Sequence, residues 1–119
     1  MNEDDLIRLR HMLDAARKAS AFATGKTRQS LDEDRGLTLI LIQEITSIGE
    51  AASRVSPECA AQYPEIPWAA IVGMRNRLIH AYFAIDLDIV WNTVSIRLPE
   101  LIATLGRIIP TIPRQQGTN

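Results

Sequence analysis

Apolar residues recur at spacings of three and four through most of this 119-residue chain, and nowhere do they alternate as a half-buried strand requires. Leu6, Leu9, Leu13 and Ala16 form one stripe, and Leu41, Ile45, Ile48, Ala52 and Val55 a second. Trp68, Ile71, Val72 and Met74 form a third, and Trp91, Val94, Leu98, Leu101, Leu105 and Ile108 a fourth. Asn2 and Asp86 stand where N-caps belong, the acidic run Asp32-Glu33-Asp34 suits a helix start, and Pro67 suits a first helical position. The pattern predicts an all-α chain folded as an up-and-down four-helix bundle with small crossing angles. Pro99 lacks the N–H that the carbonyl four residues back would need. The fourth helix is therefore expected to break near Arg97, with a short fifth continuing in nearly the same direction from Leu98. Polar loops are expected over Thr24–Ser30 and Ser56–Ile66. Residues 1–110 read as one helical domain and 111–119 as a flexible tail.

The length allows one domain, and the formal net charge of -1 does not advertise nucleic-acid binding, so any such binding needs a local basic patch. One candidate patch lies on the first helix, where Arg8, Arg10 and Arg17 surround His11; Asp4, Asp5 and Asp14 dilute it, and a solvated charged face is the commoner explanation of such a mixture. The single cysteine, Cys59, excludes an internal disulfide and a cysteine-based zinc site, and with two histidines no metal or cofactor is expected. No adjacent cation activates Cys59, which reads as inert. Gly25-Lys26-Thr27 lacks the second glycine and the feeding strand of a phosphate loop, and reads as a polar turn. No apolar run is long enough to span a bilayer, and the acidic start differs from a secretory signal, so a cytoplasmic protein without membrane contact is expected.

Chemistry concentrates in Arg75-Asn76-Arg77-Leu78-Ile79-His80-Ala81-Tyr82. These residues read either as a helix C-terminus, with Arg and His covering free carbonyls, or as a site that holds phosphate and moves protons. At about 100° per residue, Asn76 and Arg77 lie about 40° and 60° from His80, so geometry alone selects Asn76, Arg77 and His80. Arg75 lies about 140° away. It joins them only if the helix ends between them, if its side chain wraps round, or if two chains share the site across a two-fold axis.

The run Arg-Asn-x-x-x-His-x-Tyr, carried by Arg75, Asn76, His80 and Tyr82, resembles the R-x4-6-H signature of the HEPN superfamily. Within it, the run is similar to the HepT-type toxins of bacterial and archaeal toxin–antitoxin pairs. Phe83, Ile85, Asp86, Val90, Trp91 and the Leu98-Pro99-x-Leu101 step agree with that family, and the close match runs from about Trp68 to Leu101. The resemblance implies a HEPN-like bundle and a homodimer with a composite active site. It implies metal-independent RNA cleavage, tRNA being one candidate substrate, with Arg75 and His80 catalytic and Asn76 orienting. Arg77 receives no family role and stays an RNA-contact candidate beside Arg8, Arg10 and Arg17. The resemblance also implies a cognate nucleotidyltransferase antitoxin that AMPylates Tyr82, as in a type VII-like toxin–antitoxin pair. The rival reading is a non-catalytic HEPN module that binds such a partner, or RNA, without cutting.

Overall fold

The computed structural model describes residues 2–80 and 85–112, apart from the side chains of Ile79 and His80. Tyr82 and most of the expected tail therefore lie outside the described residues. Helix α1 spans Glu3–Ala23, α2 Arg28–Glu33, α3 Arg35–Ser53, α4 Pro57–Gln62, α5 Trp68–His80, α6 Leu87–Asn92 and α7 Leu98–Ile108. No strand occurs among the described residues. The all-α expectation holds, and no described helix is long and apolar enough to cross a membrane.

Four rods carry the fold: α1, α3, α5 and the run from α6 to α7. The long neighbours α1 and α3 pack along each other, with α5 on the far side of α3 and α7 against α1. Leu9, Met12 and Ala16 meet Leu41, Ile45 and Ile48 in a core closed by Val90, Leu101 and Leu105, all buried. Each large apolar side chain so buried contributes about 1.5–3 kcal/mol, which is why the three-four stripes prevail over weak local signals.

The caps follow the sequence. The Asn2 Oδ1 accepts from the Asp5 N–H at 2.7 Å and opens α1. One oxygen of Asp34 accepts from the Leu37 N–H at 3.0 Å and opens α3. The Asp86 Oδ1 accepts from the N–H groups of Asp88 and Ile89 at 2.9 and 3.3 Å. Each removes one or two of the donors that a helix start leaves unpaired.

Both expected loops contain a helix. Residues 24–27 make the turn, with Gly25 at φ 76°, a left-handed conformation that favours glycine, and α2 begins at Arg28. Asp32 and Glu33 thus close α2, and Asp34 alone caps α3. In the second loop, Ser56 caps α4 by accepting from the Cys59 N–H at 3.1 Å. The buried Asp5 in turn accepts from the Ser56 N–H at 2.8 Å and hydroxyl at 2.6 Å, fastening α4 to α1.

Pro99 does not break the fourth rod. The turn Thr93–Arg97 is π-helical, and the Leu98 N–H reaches back five residues to the Thr93 carbonyl. The wider turn makes room for the proline ring where a regular α-turn would press it against the carbonyl four residues back. The expected boundary between Arg97 and Leu98 is where α7 begins.

Candidate active site

Helix α5 starts behind Pro67, whose carbonyl accepts from the Ile71 N–H at 3.0 Å, while the Trp68 indole N–H donates to the Tyr63 carbonyl at 3.0 Å and pins the first turn. Leu78, 6% exposed, anchors the last turn in the core. Between these fixed ends stands Arg75. Among the three routes that could bring Arg75 and His80 together, the first falls away, because α5 runs through both positions.

Arg75 turns onto α3. Its Nη2 donates to the Glu50 Oε1 at 2.5 Å, and its Nη1 donates to the Asn76 Oδ1 at 2.9 Å. Its Nε is buried and meets no acceptor among the described residues. The Arg75 side chain is 25% exposed and the Glu50 side chain 40%, so the pair sits at the rim of the bundle. A guanidinium offers five N–H groups. One goes to Glu50, one to Asn76 and one points into the protein, so among the described residues one hydrogen on each Nη has no acceptor. A guanidinium N–H is a natural donor to a phosphate oxygen.

The backbone of α3 makes this placement possible. A Cβ built on Gly49 would lie 2.8 Å from the Arg75 Cγ and 3.3 Å from the Ile71 carbonyl oxygen, and would collide with the Arg75 Cβ. Only a glycine lets α5 come this close. Neither Gly49 nor Glu50 was singled out from the sequence. The available signal was a glycine inside a helical stripe, which costs about 1 kcal/mol against alanine and points to a packing reason.

The remaining predicted residues divide. Asn76 touches Arg75, so its amide oxygen orients the guanidinium. Arg77 is exposed. Position 80 lies on α5, but the His80 side chain and all of Tyr82 are outside the described residues. The basic trio of α1 is split. Arg8 lines a groove of 600 Å³ between α1 and α3 with His11, Lys18, Ser47, Glu50 and Arg54. Arg10 and Arg17 are exposed and lie about 200° and 180° around α1 from Arg8, away from that groove.

Two other candidates stay outside the site. Lys26 sits in the turn after α1, where its N–H donates to the Ala23 carbonyl at 3.0 Å. Cys59 is buried, and that burial, followed by the nearby Asp5 carboxylate, pushes its thiol above its usual range. A raised thiol is a poor nucleophile at neutral pH.

Residues 12–108 match the model of a family described as ribonuclease HepT-like. The chain belongs to the HepT-like family of HEPN proteins. This HepT-like chain is 31% identical over 101 residues to a Caldanaerobacter subterraneus protein with a provisional RNase name, covering 85% of this chain and 90% of that one. It is 37% identical over 68 residues to a protein of Thermococcus cleftensis named as a probable ribonuclease HepT, covering 57% of this chain and 62% of that one. A Methanocaldococcus jannaschii protein, whose name joins a gamma-glutamylcyclotransferase to a provisional RNase, is 28% identical over 117 residues. That alignment covers 98% of the HepT-like chain and only 53% of the longer relative. No solved structure matches significantly. The family match includes Gly49, Glu50, Arg75, Asn76 and His80, whereas Arg8 and Arg10 precede it.

Proposed function

We propose that this HepT-like chain is the toxin of a type VII-like toxin–antitoxin pair and cuts RNA without a metal. The ribonuclease reading draws on the family and on the names its relatives carry. The observation in this chain that carries it is the seat of Arg75, held by Glu50 and Asn76 at the rim of the bundle five positions before His80 on one helix.

In the proposed reaction the 2′-hydroxyl of a nucleotide attacks the adjacent phosphorus. The bond from phosphorus to the 5′-oxygen breaks, leaving a 2′,3′-cyclic phosphate and a 5′-hydroxyl. His80, as imidazole, takes the hydroxyl proton or, as imidazolium, supplies one to the leaving oxygen. Arg75 stabilises the charge that builds on the phosphoryl oxygens, and it costs least when already fixed in place. tRNA is one candidate substrate.

The site is proposed to be complete only in a homodimer. Ala69, Gly73 and Asn76 share the face of α5 that carries position 80, by helix register. Ala69 and Asn76 are exposed, and a Cβ on Gly73 would meet nothing within 4 Å among the described residues. A second α5 fits against so bare a face and would bring its own position 80 toward the first Arg75. A nucleotidyltransferase partner is proposed to silence the enzyme by moving AMP from ATP to the Tyr82 hydroxyl, with release of pyrophosphate. The added anion would repel and crowd a phosphate.

One observation favours the second reading, a HEPN module that binds a partner or RNA without cleavage. Arg75 is already paired with Glu50, which gives it a use within the fold. Toxicity on expression separates the two: His80→Ala should abolish it with the fold intact, and toxicity retained in that variant supports the non-catalytic module. Tyr82→Phe should stay toxic but escape the partner. No mass increase of the wild type with partner and ATP would remove the AMPylation step.

A further inference from the structure

We infer that Glu50 is a positioning residue that holds the Arg75 guanidinium in the orientation a phosphate requires. The inference rests on the ribonuclease reading for its effect on catalysis, but the contact itself does not.

Arg75 has a long stem, and a guanidinium on such a stem samples many rotamers unless both ends are held. Three features of α3 and α5 remove that freedom. Gly49 admits the Cβ and Cγ of Arg75 against the α3 backbone, which fixes the base of the stem. The Glu50 Oε1 receives Nη2 at 2.5 Å and the Asn76 Oδ1 receives Nη1 at 2.9 Å, which fixes the plane of the fork. Glu50 is the only one of the three that brings charge. Its carboxylate also stands 3.9 Å from Arg54 Nη2, so it lies between two cations, and Arg75 keeps the much shorter contact. Glu50 therefore acts through Arg75 and needs no contact with the RNA.

A carboxylate beside a phosphate-binding arginine carries an opposite consequence as well, because it competes for the same hydrogens. The geometry decides between the two. Glu50 occupies one Nη hydrogen and Asn76 another, and among the described residues the second hydrogen on each Nη has no protein acceptor to compete with a ligand. Orientation gains more than neutralisation costs if the arginine must stay fixed while charge develops on the phosphate.

The test compares wild type, Glu50→Gln and Glu50→Ala as full-length chains, with circular dichroism as the check on folding. Steady-state cleavage of RNA should show kcat lower by roughly 10- to 100-fold in Glu50→Ala, with KM changed far less. Glu50→Gln should fall between, since its amide oxygen still accepts one N–H. Cleavage by Glu50→Ala at the wild-type rate or faster overturns the inference, and so does a change confined to KM. A second readout does not depend on the nuclease. In ¹⁵N NMR the Arg75 Nη signals should be separate in wild type, where rotation about the Nε–Cζ bond is hindered, and merged in Glu50→Ala. If wild type cuts no RNA, the ribonuclease reading fails while this spectrum still decides the role of Glu50. Identical Arg75 spectra in the two proteins overturn it.

Discussion

Gly49 of α3 and Arg75 of α5 meet so closely that no side chain fits between the α3 backbone and the arginine stem. Gly49→Ala should therefore destabilise the protein by about 1 kcal/mol or more, because overpacking outweighs the helix propensity gained. Urea denaturation reads the loss. RNA cleavage should fall with it, since α5 must shift away from Glu50.

Gly73 on the opposite face of α5 should respond with the other sign. Its Cβ position is open, so Gly73→Ala should raise stability by about 0.8–1 kcal/mol in the single chain. Gly73→Trp should leave the helix content unchanged and shift the protein from dimer to monomer in light scattering. A dimer unaffected by the indole would place the two-fold contact elsewhere.

Asp5 fastens α4 through both donors of Ser56. Asp5→Ala should cost about 1–3 kcal/mol by leaving those donors without their acceptor. Hydrogen exchange should accelerate first over α4, before the rest of the bundle opens.

Cys59 should resist iodoacetamide at pH 8 in the native protein and react once urea exposes it, because burial holds the thiol protonated. The same shift sets a pH dependence. The folded thiol ionises above the usual value of 9.0, so the native state binds that proton more tightly than the unfolded chain does. Its contribution is complete below pH 9 and disappears as pH rises through the folded value. Burial also raises the Tyr63 phenol, which acts in the same direction at higher pH. Urea midpoints should therefore fall between pH 8 and pH 11, and fall less in Cys59→Ala.

Much of this fold is written in local pattern. Asn2 and Asp86 cap helices through their own neighbours, and the stripes of α1 and α3 bury the residues their spacing selects, except Val55, which lies past the end of α3 and is half-buried. Helices α2 and α4 escaped because each has six residues, too few to show a period. The division of Arg8 from Arg10 and Arg17 follows from helix register, which sets them about 180° to 200° apart. Glu50 was not available. It is an ordinary solvent-side acid in its own helix, and its meaning comes from the residue that α5 delivers beside it. The motif identified Arg75, but the contact that holds Arg75 depends on the register between two helices, which brings together residues 25 positions apart.

Incubation of total cellular RNA in EDTA with purified wild type and with His80→Ala tests the central claim most directly. Cleavage by wild type alone, leaving 2′,3′-cyclic phosphate ends, is the predicted result. Equal cleavage by both proteins, or none by either, would contradict a metal-independent nuclease built on Arg75 and His80.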